Sequence, residues 1–93
     1  MSGRSDWTFM TSHGVILVAL ARMPDSTVRE LAARAGLTER QAHRVLADLV
    51  DGGYVERDRV GRRNRYRVDR TKPLRHPSVR DHPVGELLEV LRG

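Results

Sequence analysis

Seven apolar residues follow one another from Val15 to Ala21, apolar positions between Leu31 and Val50 recur every three or four residues, and around Tyr66 they alternate with arginine. Each change of period predicts a different element. A first helix is expected from about Ser12 to Met23, where Pro24 stops it. Its centre, VILVALA, is apolar on every side, and such a helix has to be covered all round. The rest of the chain is hardly large enough for that, so self-association is the simplest remedy, with Ile16 and Leu20 as candidate contacts.

Two short helices with clear start signals come next. Thr27 precedes Glu30 by three residues, and Thr38 stands in the same relation to Gln41. Both are capping boxes, in which the threonine hydroxyl accepts a backbone N–H and the later side chain accepts the threonine's own. The first helix is predicted over about Val28 to Ala35 with Gly36 as its stop. The second is predicted from Glu39 to about Asp51, ended by Gly52-Gly53. YVERDR and NRYRV then flank VGRR and read as two strands joined at Gly61. In the second strand Tyr66 and Val68 point one way, Arg65 and Arg67 the other. After PLRHP, a loop by its prolines, a last helix opens at Pro83, with Asp81 and His82 as its expected cap. Val84, Leu87, Leu88 and Leu91 form its single apolar stripe.

Charge sharpens this outline. The net charge is +5, yet residues 1–56 sum to −1 and residues 76–93 to −1, so the excess lies in residues 57–75, at +7. RDRVGRRNRYRV, residues 57–68, holds six arginines in twelve positions. Clustering of this kind favours an anionic partner. Sixteen of the seventeen basic residues are arginine, a preference that codon usage alone can produce; the clustering is not.

Residues 27–49 have the spacing of a helix-turn-helix. Ala32 is small where two helices cross, Gly36 makes the turn, and Leu31, Ala35, Leu37, Ala42 and Val45 supply a shared core. At steps of about 100° per residue, Ala42, Val45, Leu46, Leu49 and Val50 gather on one side of the second helix. Thr38, Arg40, Gln41, His43 and Arg44 form its exposed N-terminal face. Arginine donates two hydrogen bonds to guanine and glutamine pairs with adenine, so this face suits base readout. The helix N-terminus at Thr38 suits phosphate.

From Trp7 to Val68 the chain resembles the winged helix-turn-helix regulators of the MarR/ArsR type, as a compact single-domain subgroup. LAARAGLTERQAHRVLADLVDGGYVERDRVGRRNRYRV carries most of the likeness. The resemblance implies an α+β fold, mainly helical, with a two- or three-stranded antiparallel wing and a C-terminal helix. It implies that helix 39–51 enters the major groove of double-stranded DNA while the wing, residues 57–68, lies on the backbone or in the minor groove. Val60, Tyr66 and Val68 would anchor the ribbon. Arg62 and Arg63 would be the tip contacts, with Arg59, Asn64 and Arg65 next to them. The wing tip departs from the family in lacking the aspartate that orients an arginine there. Residues 1–75 would form the DNA-binding domain with an N-terminal arm, and residues 76–93 a loop and helix for packing or dimerisation. A homodimer would be held by Trp7, Phe9, Ile16, Leu20, Val84, Leu87, Leu88 and Leu91.

Several classes fall away. Without cysteine there are no disulfides, thiolate metal sites or cysteine nucleophiles. His13, His43, His76 and His82 do not assemble a metal-ligand pattern, and no cofactor or small-molecule ligand is implied. No phosphate-binding glycine loop, G-x-S-x-G elbow or H-E-x-x-H motif points to an enzyme. Seven consecutive apolar residues are too few for a membrane span. They are minimal for a signal peptide, whose charged leader Asp6 would weaken, so a cytoplasmic protein is expected. The remaining alternatives are a winged-helix protein-interaction module and a non-specific nucleoid or RNA-binding protein.

Overall fold

Residues 7–92 are described by the computed structural model, in the order α1 (Ser12–Arg22), α2 (Val28–Ala35), α3 (Glu39–Asp51), β1 (Val55–Val60), β2 (Arg63–Val68), a 3-10 turn (Pro77–Val79) and α4 (Val84–Leu91). The first six residues of the expected N-terminal arm, Asp6 among them, lie outside the described residues.

The helix starts follow from side chains close in sequence. Thr11 Oγ1 accepts from Gly14 N and opens α1. Both predicted capping boxes form, Thr27 with Glu30 and Thr38 with Gln41. Between α2 and α3, Gly36 takes φ 68°, the left-handed region where a side chain is strained, and Leu37 N donates to Ala32 O at 2.9 Å. That closure turns the chain within three residues and lets α3 cross α2.

The core gathers one face of every helix and the base of the sheet. Ile16, Leu17, Ala19 and Leu20 of α1 meet Leu31 and Ala32 of α2 and Ala42, Val45, Leu46 and Leu49 of α3. Tyr54, Val55 and Tyr66 close it from the wing, and Val84 and Leu88 from α4. This corrects the expectation for α1. Ile16 and Leu20 are 0% and 1% exposed within the single chain, so this chain's own helices and wing cover them and they offer no surface to a second copy. Val84 and Leu88 are buried in the same way, whereas Leu87 is half-buried and Leu91 is exposed.

In the antiparallel ribbon Val55 pairs with Val68, Arg57 with Tyr66, Arg59 with Asn64, and Val60 with Arg63. Only Gly61 and Arg62 connect the strands. Gly61 has φ 63°, the glycine-favoured positive φ at the first turn position that tight hairpins use. The strands therefore run further into the VGRR segment than the sequence suggests. Tyr66 is buried and Val68 partly so, but Val60 belongs to the opposite strand face and is exposed. Val60 does not anchor the ribbon.

The expected cap on α4 is also absent. Pro83 occupies the N-cap position and makes no side-chain cap. Val84 N donates instead to Lys72 O at 2.7 Å and Gly85 N to Arg70 O at 2.9 Å. Carbonyls of the chain leaving the wing thus satisfy the first donors of the helix. Tyr54 Oη adds a hydrogen bond to Pro73 O that ties this loop to the end of α3. The architecture is α+β, a winged helix with two strands in its wing.

Candidate nucleic-acid interface

Thr38 sits at the mouth of the turn, and α3 presents Arg40, Gln41, His43 and Arg44 to solvent. Burial of Ala42, Val45, Leu46 and Leu49 fixes this orientation, because the opposite face of an amphipathic helix must then be outside. Among the described residues, Arg40, His43 and Arg44 make no hydrogen bond or ion pair, so all their donors are available to a partner. Exposed Ala47 continues the row one turn further along.

Gln41 differs from these three. Its Oε1 accepts from Thr38 N at 3.0 Å, while its own N–H donates to Thr38 Oγ1 at 3.1 Å. The two-point recognition of adenine needs the amide oxygen and nitrogen together. With the oxygen held in the cap, only the Nε2 donors are left. The Thr38 hydroxyl proton is free to donate to a phosphate.

Two of the three acidic groups of α3 are drawn to neighbouring helices. Asp48 Oδ2 lies 2.8 Å from His13 Nε2 on α1, and Glu39 Oε1 lies 3.5 Å from Arg29 Nε on α2. Both contacts also brace α3 against its neighbours, although exposed pairs of this kind contribute no more than about 1 kcal/mol.

The wing arginines divide into two groups. Arg67 bridges Glu56 at 2.5 Å and Asp58 at 2.9 Å. Its hydrogen bond with Asp58, and the charges of Asp58 and Glu56, hold the guanidinium still more firmly protonated. Arg65 Nε pairs with Asp25 Oδ1 at 3.3 Å, and Arg63 Nη2 donates to the Asp25 carbonyl at 3.2 Å. Arg57, Arg59 and Arg62 have no carboxylate partner among the described residues; Arg59 reaches only the Gly61 carbonyl, at 3.4 Å. The expected wing contacts Arg59, Arg62, Arg63, Asn64 and Arg65 are all exposed, but Arg63 and Arg65 are engaged internally. The carboxylate on Arg65 comes from a different loop, between α1 and α2. Arg57, which the sequence reading did not single out, is exposed as well, and the two-residue turn sets it opposite Tyr66.

The expected dimer aromatics precede α1. Trp7 and Phe9 are 67% and 93% exposed and pack edge to face, with ring centroids 5.1 Å apart. They rest on each other rather than on the core. Among the described residues no cluster of three histidine or acidic side chains could hold a metal, and no helix is long and apolar enough to cross a membrane.

No curated protein matches the chain. Residues 8–64, which run from the arm through α1, α2, α3 and into β2, match the model of the MarR family. A helix-turn-helix with an arginine-rich wing over that same span agrees with a family of DNA-binding transcription regulators, and the chain belongs to the MarR family.

Proposed function

We propose that this protein is a homodimeric, cytoplasmic regulator that reads specific double-stranded DNA, with α3 in the major groove and the wing on the flanking backbone or minor groove. The observation that carries this reading is the exposed row Arg40, His43 and Arg44, free of internal partners, on a helix whose other face is locked into the core. Arg40 and Arg44 are the guanine-reading candidates, Thr38 offers a phosphate donor, and Gln41 contributes through the cap. On the wing, Arg59, Arg62 and Asn64 are the contacts, and arginine there responds to groove width more than to individual bases.

Burial of Ile16, Leu20, Val84 and Leu88 moves the proposed dimer contacts outward, to Trp7, Phe9, Leu87 and Leu91. Two-fold symmetry would place half-sites about one helical turn apart, ~10 base pairs.

Fluorescence anisotropy on a pool of random duplexes at several salt concentrations, followed by sequencing of the tightest-bound fraction, tests the reading. Steep salt dependence with an enriched palindrome supports it, since ion release counts phosphate contacts and enrichment reports base contacts. Salt-dependent binding without a motif replaces it with an architectural role. No binding at low salt overturns it in favour of an acidic protein partner.

A further inference from the structure

We propose that Asp25, in the turn between α1 and α2, is a positioning residue for the wing: by holding Arg63 and Arg65 it turns the strand face bearing Arg57 and Arg59 toward DNA and makes Arg57 a phosphate contact. This rests on the DNA-binding reading above.

The strand register sorts the ribbon into two chemically different faces. Residues directly opposite one another share a face, and alternate residues along a strand share it too. One face carries Glu56, Asp58, Val60, Arg63, Arg65 and Arg67; the other carries Val55, Arg57, Arg59, Asn64, Tyr66 and Val68. On the first face three arginines meet three carboxylates once Asp25 is included, and each is in contact with an opposite charge or a carbonyl. That face is close to neutral. The second has two arginines and no carboxylate, and Arg62 extends its charge at the turn. A polyanion therefore meets positive potential on the Arg57/Arg59 face and almost none on the other.

Asp25 is the carboxylate of this set that comes from outside the hairpin. Tyr66 fixes the ribbon's base in the core, and beyond it Val60 is exposed and packs little. Near the tip, the Asp25 side chain on Arg65 and the Asp25 carbonyl on Arg63 connect the ribbon to the domain body. Pro24 stiffens the turn from which Asp25 projects.

Charge alone and positioning predict opposite signs. Removing a carboxylate from a DNA-binding surface should strengthen binding by simple Coulomb attraction. If Asp25 positions the wing, its removal weakens binding, because the productive wing orientation is then only fractionally populated.

The full chain is tested against the tightest-binding duplex of the random pool. Asp25→Ala is expected to raise Kd by about two- to fivefold, the effect of one exposed ion pair, with the melting temperature unchanged. The charge-exchanged double variant D25R/R65D should return affinity toward wild type. Arg57→Ala should weaken binding and reduce the salt slope by about one. Amide hydrogen exchange of residues 59–64, measured without DNA, should accelerate in D25A and recover in the double variant. Equal or tighter DNA binding by D25A overturns the proposal, as does an unchanged salt slope in R57A. Unaltered wing exchange in D25A also overturns it, even if no duplex is bound. Absence of binding by the wild type with faster exchange in D25A refutes the DNA-binding reading and leaves Asp25 as the wing's positioning residue.

Discussion

Gln41 Oε1 and Thr38 N, 3.0 Å apart, commit to the start of α3 an amide that would otherwise be free to read a base. The reciprocal bond from Gln41 N to Thr38 Oγ1 makes the two residues one structural unit. Gln41→Ala should therefore lower stability by about 1 kcal/mol, the usual cost of losing a helix cap, as read by urea denaturation. Its base-preference profile from the duplex pool should match wild type, whereas Arg44→Ala should relax one position by ~1–3 kcal/mol.

Gly85 packs its first-turn backbone against residue 70. A Cβ there would lie 2.8 Å from Arg70 O and 2.9 Å from Arg70 Cβ. Helix propensity alone favours Gly85→Ala by about 1 kcal/mol. Backbone cannot step aside as a flexible side chain would, so the clash should win and the variant should lose about 1–3 kcal/mol. A rise in the denaturation midpoint would reverse this ranking.

Tyr66 and Val60 should respond unequally to truncation, although both are apolar members of the ribbon. Tyr66 is 4% exposed and Val60 56%. Tyr66→Ala should cost about 3 kcal/mol through the cavity it leaves, while Val60→Ala should stay within about 0.5 kcal/mol. Thermal unfolding of the two variants side by side decides this.

Two opposite pH dependences follow from exposed carboxylate and imidazole contacts. The His82 hydrogen bond to Glu86, aided by the charges of Asp81 and Glu86, raises the imidazole above its ordinary 6.5. A raised folded value means that the stabilisation is fully present below 6.5 and is lost as pH climbs through the folded pKa. Hydrogen bonds from Thr27 lower Glu30, and those from Thr71 lower Asp69. Their stabilisation is present above the ordinary values of 4.5 and 3.8 and is lost as pH falls through the depressed ones. Melting curves across pH should show Glu86→Gln reducing only the alkaline-side loss, and Thr27→Ala reducing only the acid-side loss.

What the sequence made legible was local. Thr27 with Glu30, Thr38 with Gln41, and Gly36 between them act across three or four residues, so their chemistry is visible in the string itself. The α3 core face was equally legible, because a helix converts spacing directly into direction. Asp25 was not, since its partner Arg63 is 38 residues away and the pair meets only when the wing folds back beside the α1–α2 turn. Val60 was misread for a subtler reason: a two-residue turn gives the strand a fixed parity, and parity sends Val60 to the face away from Tyr66. The cap of α4 left no side-chain signature because carbonyls supply it.

That carbonyl cap sets α4 apart from α2 and α3, each of which opens on its own threonine. An eight-residue helix is marginal alone in water, and this one borrows its first two acceptors from Lys72 and Arg70 and its burial from α1. In the order of assembly, α4 should consequently form only after the wing has been laid down and its exit chain has turned, an expectation that pulsed amide exchange checks. Its amides should then be the last to gain protection, a gauge of whether the whole molecule has finished folding.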